Sequence, residues 1–155
     1  MKGDVVPDAH HVTRLCGGSH VREDGTIAAT AFKPRPGETY LSVNWLEFLG
    51  LSDRAAQLDD VRRVLASKRG VGASARLALL NVGQARAAVR ANSHDNALLS
   101  LLHEPEMEPG RPQDPSHAGI YGVPADDNTI PEILATAVLD VHPARPARQA
   151  YQFYR

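Results

Sequence analysis

Ala75-Arg76-Leu77-Ala78-Leu79-Leu80-Asn81-Val82-Gly83 is the stretch on which the fold class turns. Read as one piece with the residues after it, it is a continuous alanine-rich helix. Read in two, it is a buried strand that ends at Gly83, followed by a short helix over Gln84–Ala91. Asn81 and Gly83 fall in the middle of the run, where both weaken a helix. The strand-then-helix reading is therefore preferred, and the chain is expected to be of the α+β class.

Upstream, Tyr40, Leu41, Val43 and Trp45 suit a strand that follows the turn signal Pro34-Arg35-Pro36-Gly37. Trp45, Phe48 and Leu49 then fall at helical spacing, so the strand is expected to run into a short helix near Asn44 and stop at Gly50. A long helix follows. Ser52 is the expected N-cap and Asp53 suits the positive end of the dipole. Leu58, Val61, Val64 and Leu65 make an apolar stripe with Ala55 beside it. Arg62, Arg63, Lys68 and Arg69 load the C-terminal half with cations, and Gly70 is placed as the residue that ends it.

Downstream, Ala97–His103 is a short apolar run that stops before Pro105. Residues 104–112 form a proline-rich acidic loop that can continue neither helix nor sheet. Ser116–Val123 reads as a strand leaving that loop. Thr129 is expected to cap a further helix, with Pro131 in its first turn and an apolar face of Ile133, Leu134, Ala137, Val138 and Val141. Pro143 should end it. In residues 5–33, Val12–Cys16 and Ile27–Phe32 are expected to be strands around a turn at Glu23-Asp24-Gly25. The expected architecture is a small mixed sheet packed with two to three helices, mostly on one face, in one domain over residues 1–143. Residues 144–155 are expected to form a flexible tail unless a partner holds them. Tyr151-Gln152-Phe153-Tyr154 in that tail is a possible docking peptide.

A chain of 155 residues, 43% hydrophobic and 23% charged, fits one ordinary globular domain. Seventeen basic against 18 acidic side chains leave a net charge of −1, with no global field to draw in nucleic acid or an anionic membrane. The single cysteine, Cys16, permits no internal disulfide, which points to a reducing compartment. The first residues carry no apolar run of a signal peptide, and no run approaches the ~20 apolar residues of a membrane helix. A cytoplasmic protein that does not enter a membrane is expected.

Two segments invite chemistry. The first is His10-His11-Val12-Thr13-Arg14-Leu15-Cys16, with His20 after it. Imidazoles and a thiolate bind zinc, but the spacing of His11, Cys16 and His20 is no standard ligand pattern, so no metal and no cofactor are expected. Cys16 as a nucleophile would need His11 or Arg14 to lower its pKa; a buried small hydrophobe is the plainer reading. His11-Val12-Thr13 is also a bare His-x-Thr. Two such motifs on facing strands mark phosphoesterases that use two histidines, but the second here, His117, is followed by Ala118 and Gly119 without the hydroxyl.

The second segment is Asp114-Pro115-Ser116-His117-Ala118-Gly119-Ile120, a polar cluster where the loop enters a strand. A histidine with an ordinary pKa of about 6.5 suits general acid or base work, and Arg14 could stabilise an anion if the two segments meet. Asp114 and Ser116 would otherwise satisfy turn backbone. Asn81-Val82-Gly83-Gln84 has too few glycines and no lysine for a phosphate cradle. Arg62 with Arg69, and Arg86 with Arg90, share helical faces and are a weak candidate for RNA.

The segments His11-Val12-x-Arg14-x-Cys16, Leu41-Ser42-Val43-Asn44-Trp45-Leu46-Glu47 and Asp114-Pro115-Ser116-His117-x-Gly119-Ile120 together resemble a pattern in a family of small bacterial proteins. The resemblance implies a bacterial, single-domain protein and carries no activity, cofactor or catalytic residue. The leading expectation is a non-enzymatic accessory protein that works in a complex with a bacterial partner. The rival is a small hydrolase or phosphodiesterase-like enzyme, such as a toxin or defence effector. It would use His11, Arg14 and His117, with Thr13, Cys16, Asp114 and Ser116 in support. RNA binding through Arg62, Arg69, Arg86 and Arg90 comes third.

Overall fold

The computed structural model describes residues 1–146. Six strands form one sheet in the order β4-β5-β2-β1-β3-β6. The strands are β1 (His11–Cys16), β2 (Leu41–Trp45), β3 (Arg76–Asn81), β4 (Ser100–His103), β5 (His117–Tyr121) and β6 (Asp140–Pro143). Three helices complete the domain: α1 (Arg54–Lys68), α2 (Val82–Asn92) and α3 (Thr129–Ala137). All five strand pairings are antiparallel. The fold is α+β in a single domain. Among the described residues no helix is long and apolar enough to cross a membrane.

The run that decides the fold class splits as its composition requires. Arg76–Asn81 is a central strand, and Asn81 accepts a hydrogen bond from Gln84 N–H to cap α2, so strand and helix join with no residue between. Strand alternation sends Ala78 and Leu80 to one side of the sheet and Leu77 and Leu79 to the other. On the first side lie α2, α3 and the 3-10 turn Ala29–Phe32, which plugs Ala31 and Phe32 into a core with Val12, Leu41, Val43 and Ile120. On the second, α1 lays Leu58, Val61 and Leu65 against Leu46, Leu77 and Leu79.

Several elements depart from the sequence expectation. Asp53, not Ser52, caps α1, accepting from Ala55 N–H. Gln57 rather than Ala55 is buried beside the apolar stripe, because its amide bonds the Leu51 carbonyl and Arg54. Arg69 leaves α1 in an extended conformation, so Gly70 supplies no left-handed cap. Residues 29–32 form a 3-10 turn rather than a strand. Asn128, not Thr129, precedes α3, and the helix stops at Ala137. Val141 then lies in β6, opposite Ala78. It packs on the core from a strand as it would have from a helix, which is why the pattern did not separate the two. Pro143 is tolerated there because β6 is an edge strand. Ala144 is fully buried with α1, and Arg145 bonds the Val71 carbonyl; residues 147–155, the rest of the expected tail and its aromatic segment, lie outside the described residues.

Leu80, fully buried near the end of β3, packs in the first core. Leu80→Ala is expected to lower unfolding stability by about 2–5 kcal/mol, read from urea denaturation; a loss below about 1 kcal/mol would contradict this packing.

Candidate functional site

β1 and β2 lie side by side at the middle of the sheet, yet they pair only at Val12↔Trp45 and Thr13↔Asn44. Beyond Thr13 the strands part. The Arg14 side chain fills the gap, donating Nε–H to the Ala31 carbonyl at 2.7 Å and an Nη1 hydrogen to the Ser42 carbonyl at 2.9 Å. Ser42 thus gives its carbonyl to a side chain where a sheet would give it to the neighbouring strand. A cleft of about 290 Å³ opens there, walled by Arg14, Leu15, Gly17, Gly18, Ser42, Asn44 and His117 and by the end of α1 with the loop after it. Gly18 is pressed on that loop so closely that a Cβ would collide with the Ser74 hydroxyl.

His117, on β5, is directly opposite Asn44 on β2. Its Nδ1 is 2.8 Å from the Glu104 carbonyl, which only accepts, so Nδ1 carries the hydrogen. His117 lines the cleft, and its Nε2 has no hydrogen-bond partner among the described residues, lying 3.9 Å from a Glu106 carboxylate oxygen, too far for a hydrogen bond. Asn44 donates both amide hydrogens, to Asp114 Oδ1 at 2.8 Å and to Ser116 Oγ at 3.0 Å. The carboxylate only accepts, which fixes the amide orientation and leaves Asn44 Oδ1 without a partner among the described residues.

Asp114 is fully buried, and its other oxygen accepts from the Lys68 ammonium at 2.9 Å. Lys68 also donates to Glu106 at 2.5 Å, tying the proline-rich loop to the end of α1. Burial pushes the Glu106 carboxyl up, but the Lys68 hydrogen bond and the charges of His117 and Lys68 outweigh it and hold the group below the ordinary range. Tyr40 lies on Gly119, where a Cβ would come within 2.5 Å of the ring, and meets the His117 ring edge-on at 5.9 Å between centroids.

Arg14 and His117, drawn from two distant segments, thus line one cleft, and Asp114 and Ser116 lie buried behind it, bonded to Asn44. The other named residues lie elsewhere. His11 falls outside it, with Nδ1 2.6 Å from Glu47 Oε2 and its backbone N–H on Oε1. Burial raises the Glu47 carboxyl, and the two bonds from His11 bring it below its ordinary value. Thr13 is buried, and its hydroxyl has no partner among the described residues. Cys16 sits in the core on the opposite side of the sheet from His11. Burial pushes its thiol up to about 11 despite the nearby Arg14 charge, which favours the protonated thiol over the thiolate at neutral pH. His20 bonds Thr30 instead of approaching Cys16.

The four arginines considered for RNA divide between α1 and α2, on opposite sides of the sheet, and do not form one patch. Arg62 bonds Asp59 and the Pro143 carbonyl, and Arg86 bonds Asp8 and the Leu99 carbonyl.

Sequence reasoning did not single out Asn44, Lys68, Glu106 or Arg35. Asn44 carries the one visible signal, an amide among apolar residues in a strand, where burial demands partners. Lys68 reads only as a cation at a helix C-terminus, and Glu106 only as part of a loop.

Lys68→Met leaves the buried Asp114 carboxylate without its cation and is expected to cost about 3–5 kcal/mol near neutral pH. The depressed Glu106 pKa means that its share of this stability is present above the ordinary glutamate range and lost as pH falls through the folded value. The difference between wild type and variant should therefore narrow from about pH 7 to about pH 3 in urea denaturation. A difference independent of pH would contradict the ion-pair assignment.

Comparison with protein-family models, with curated proteins and with solved structures finds no match to this chain.

Proposed function

We propose that the chain is a small hydrolase that cleaves an ester bearing an anionic group, with His117 as the group that moves the proton. The supporting observation is the pairing of two acceptors on one sheet face. His117 Nε2 and Asn44 Oδ1 come from directly opposed residues, and each is left free because the other end of its side chain is taken.

Opposed residues in an antiparallel pair carry Cβ atoms about 5 Å apart, a separation that a water molecule can bridge. In this reaction Asn44 Oδ1 orients the water and His117 Nε2 takes its proton as the water oxygen bonds to the ester centre. The ester bond breaks, and His117 returns the proton to the departing oxygen. The Arg14 guanidinium, held by two carbonyls, supplies fixed positive charge at the cleft wall.

A second reading, an accessory protein in a bacterial complex, is supported by an apolar groove between α2 and α3, lined by Ala88, Ile133, Ala137, Val138 and Leu139. Leu139 is 50% exposed there. The hydrolase reading is preferred because the polar cleft requires a buried, mutually satisfied network, which a docking surface does not.

His117→Asn is expected to lower turnover of p-nitrophenyl carboxylate or phosphate esters by about 10²–10⁴-fold, with a cooperative urea transition showing that the variant still folds. No turnover of any such ester by the wild type, or turnover unchanged in the variant, would overturn the reading.

A further inference from the structure

The same cleft carries an imbalance of charge that its hydrogen bonds do not resolve. Arg14, Arg35, Lys68 and Arg69 all line it, with Glu38. Lys68 is committed to Glu106 and Asp114. The three arginines form no ion pair among the described residues; their guanidiniums are therefore without a carboxylate partner. Glu38 turns an oxygen to the Arg35 backbone N–H, at 2.6 Å, instead of to a guanidinium. Burial lowers the Arg14 pKa; Cys16 and Glu38 oppose the shift, and Arg35 and Arg69 add to it, so both arginines lie close enough to act on Arg14.

Guanidiniums gathered around one concavity repel each other and are stable there at lowest cost when an anion sits between them. Three guanidiniums against Glu38, beside a Lys68 ammonium already shared by two carboxylates, leave an excess of positive charge at the cleft. A carboxylate ligand supplies one negative charge, whereas a terminal phosphoryl group supplies about −1.5 to −2 near pH 7. It also offers three acceptor oxygens to planar, forked donors. Gly17, Gly18, Gly70 and Gly72 bring bare backbone to the wall, where oxygens can approach without meeting side chains. The volume of about 290 Å³ holds a phosphoryl group with a small substituent.

We infer that the cleft between β1 and β2 is a phosphoryl-binding site in which Arg14, Arg35 and Arg69 hold the oxygens, so that the substrate class of the hydrolase is a phosphate ester. This rests on the preceding reading for the reaction but not for the binding. Arg14 holds the phosphoryl group from the gap between the strands. Arg35 and Arg69 close on it from the loop before β2 and from the end of α1. His117 and Asn44 stand at the adjoining end of the same cleft.

The test is calorimetric titration with phenyl phosphate and inorganic pyrophosphate at low ionic strength, with acetate as the control anion. Wild type should bind both phosphates and not acetate, and should bind more weakly as salt is added. Arg35→Gln and Arg69→Gln, both at exposed positions, should each weaken binding by about tenfold or more. Arg14→Gln should abolish it; the two exposed variants decide the outcome if that protein does not fold. His117→Asn should retain binding. Absence of phosphate binding by the wild type would overturn the proposal, as would affinity that the Arg35 and Arg69 substitutions leave unchanged. Binding without ester turnover would uphold the phosphoryl site and remove the hydrolase; turnover without phosphate binding would do the reverse.

Discussion

The Arg14 guanidinium stands between two neighbouring strands at the centre of the sheet and takes the Ala31 and Ser42 carbonyls. Charge drawn that far from water is costly unless its donors find acceptors. Here the acceptors are backbone oxygens, one of which an uninterrupted β1–β2 ladder would have used. The sheet therefore gives up pairing beyond Thr13↔Asn44, and the lost pairing becomes a cleft. The residues on its walls follow from that opening, since β1, β2, β5 and the end of α1 all border it.

Around the opening, polar groups are satisfied as a set. Asn44, Asp114, Ser116, Lys68 and Glu106 bond to one another and fasten the proline-rich loop beside His117. Such a network is stabilising only while complete, because any member left alone is a desolvated polar group. Three atoms at the opening have no hydrogen-bond partner among the described residues: the buried Thr13 hydroxyl, Asn44 Oδ1 and His117 Nε2. Completion of the network also explains why His117 presents Nε2: the loop supplies the Glu104 carbonyl that holds the other nitrogen.

Legibility in the sequence followed the range of the interactions involved. The stripe of α1 and the Asn81 break between β3 and α2 are local and could be read directly. β6 could not, because Val141 is half-buried from a strand only through the free edge of β3, a partner more than sixty residues away. At the site, Arg14 and His117 stood out as members of two segments rich in chemistry-bearing side chains, but nothing local separated His11, which Glu47 claims, from His117. Lys68 and Glu106 were hidden for the opposite reason. Each has an ordinary local explanation, and only the fold brings them together across the loop.

The parting of β1 from β2 is open to direct measurement by amide hydrogen exchange. Trp45 N–H donates to Ser116 and Leu46 N–H to His11, so strand alternation turns the Leu15 and Ser42 amides toward the gap. The Arg14 and Val43 amides point instead to β3 and β5, where the ladders are intact. Parted strands predict fast exchange at Leu15 and Ser42 beside slow exchange at Arg14 and Val43. Equal, slow exchange at all four would mean that the ladder closes past Thr13, and the cleft with its phosphoryl site would not exist.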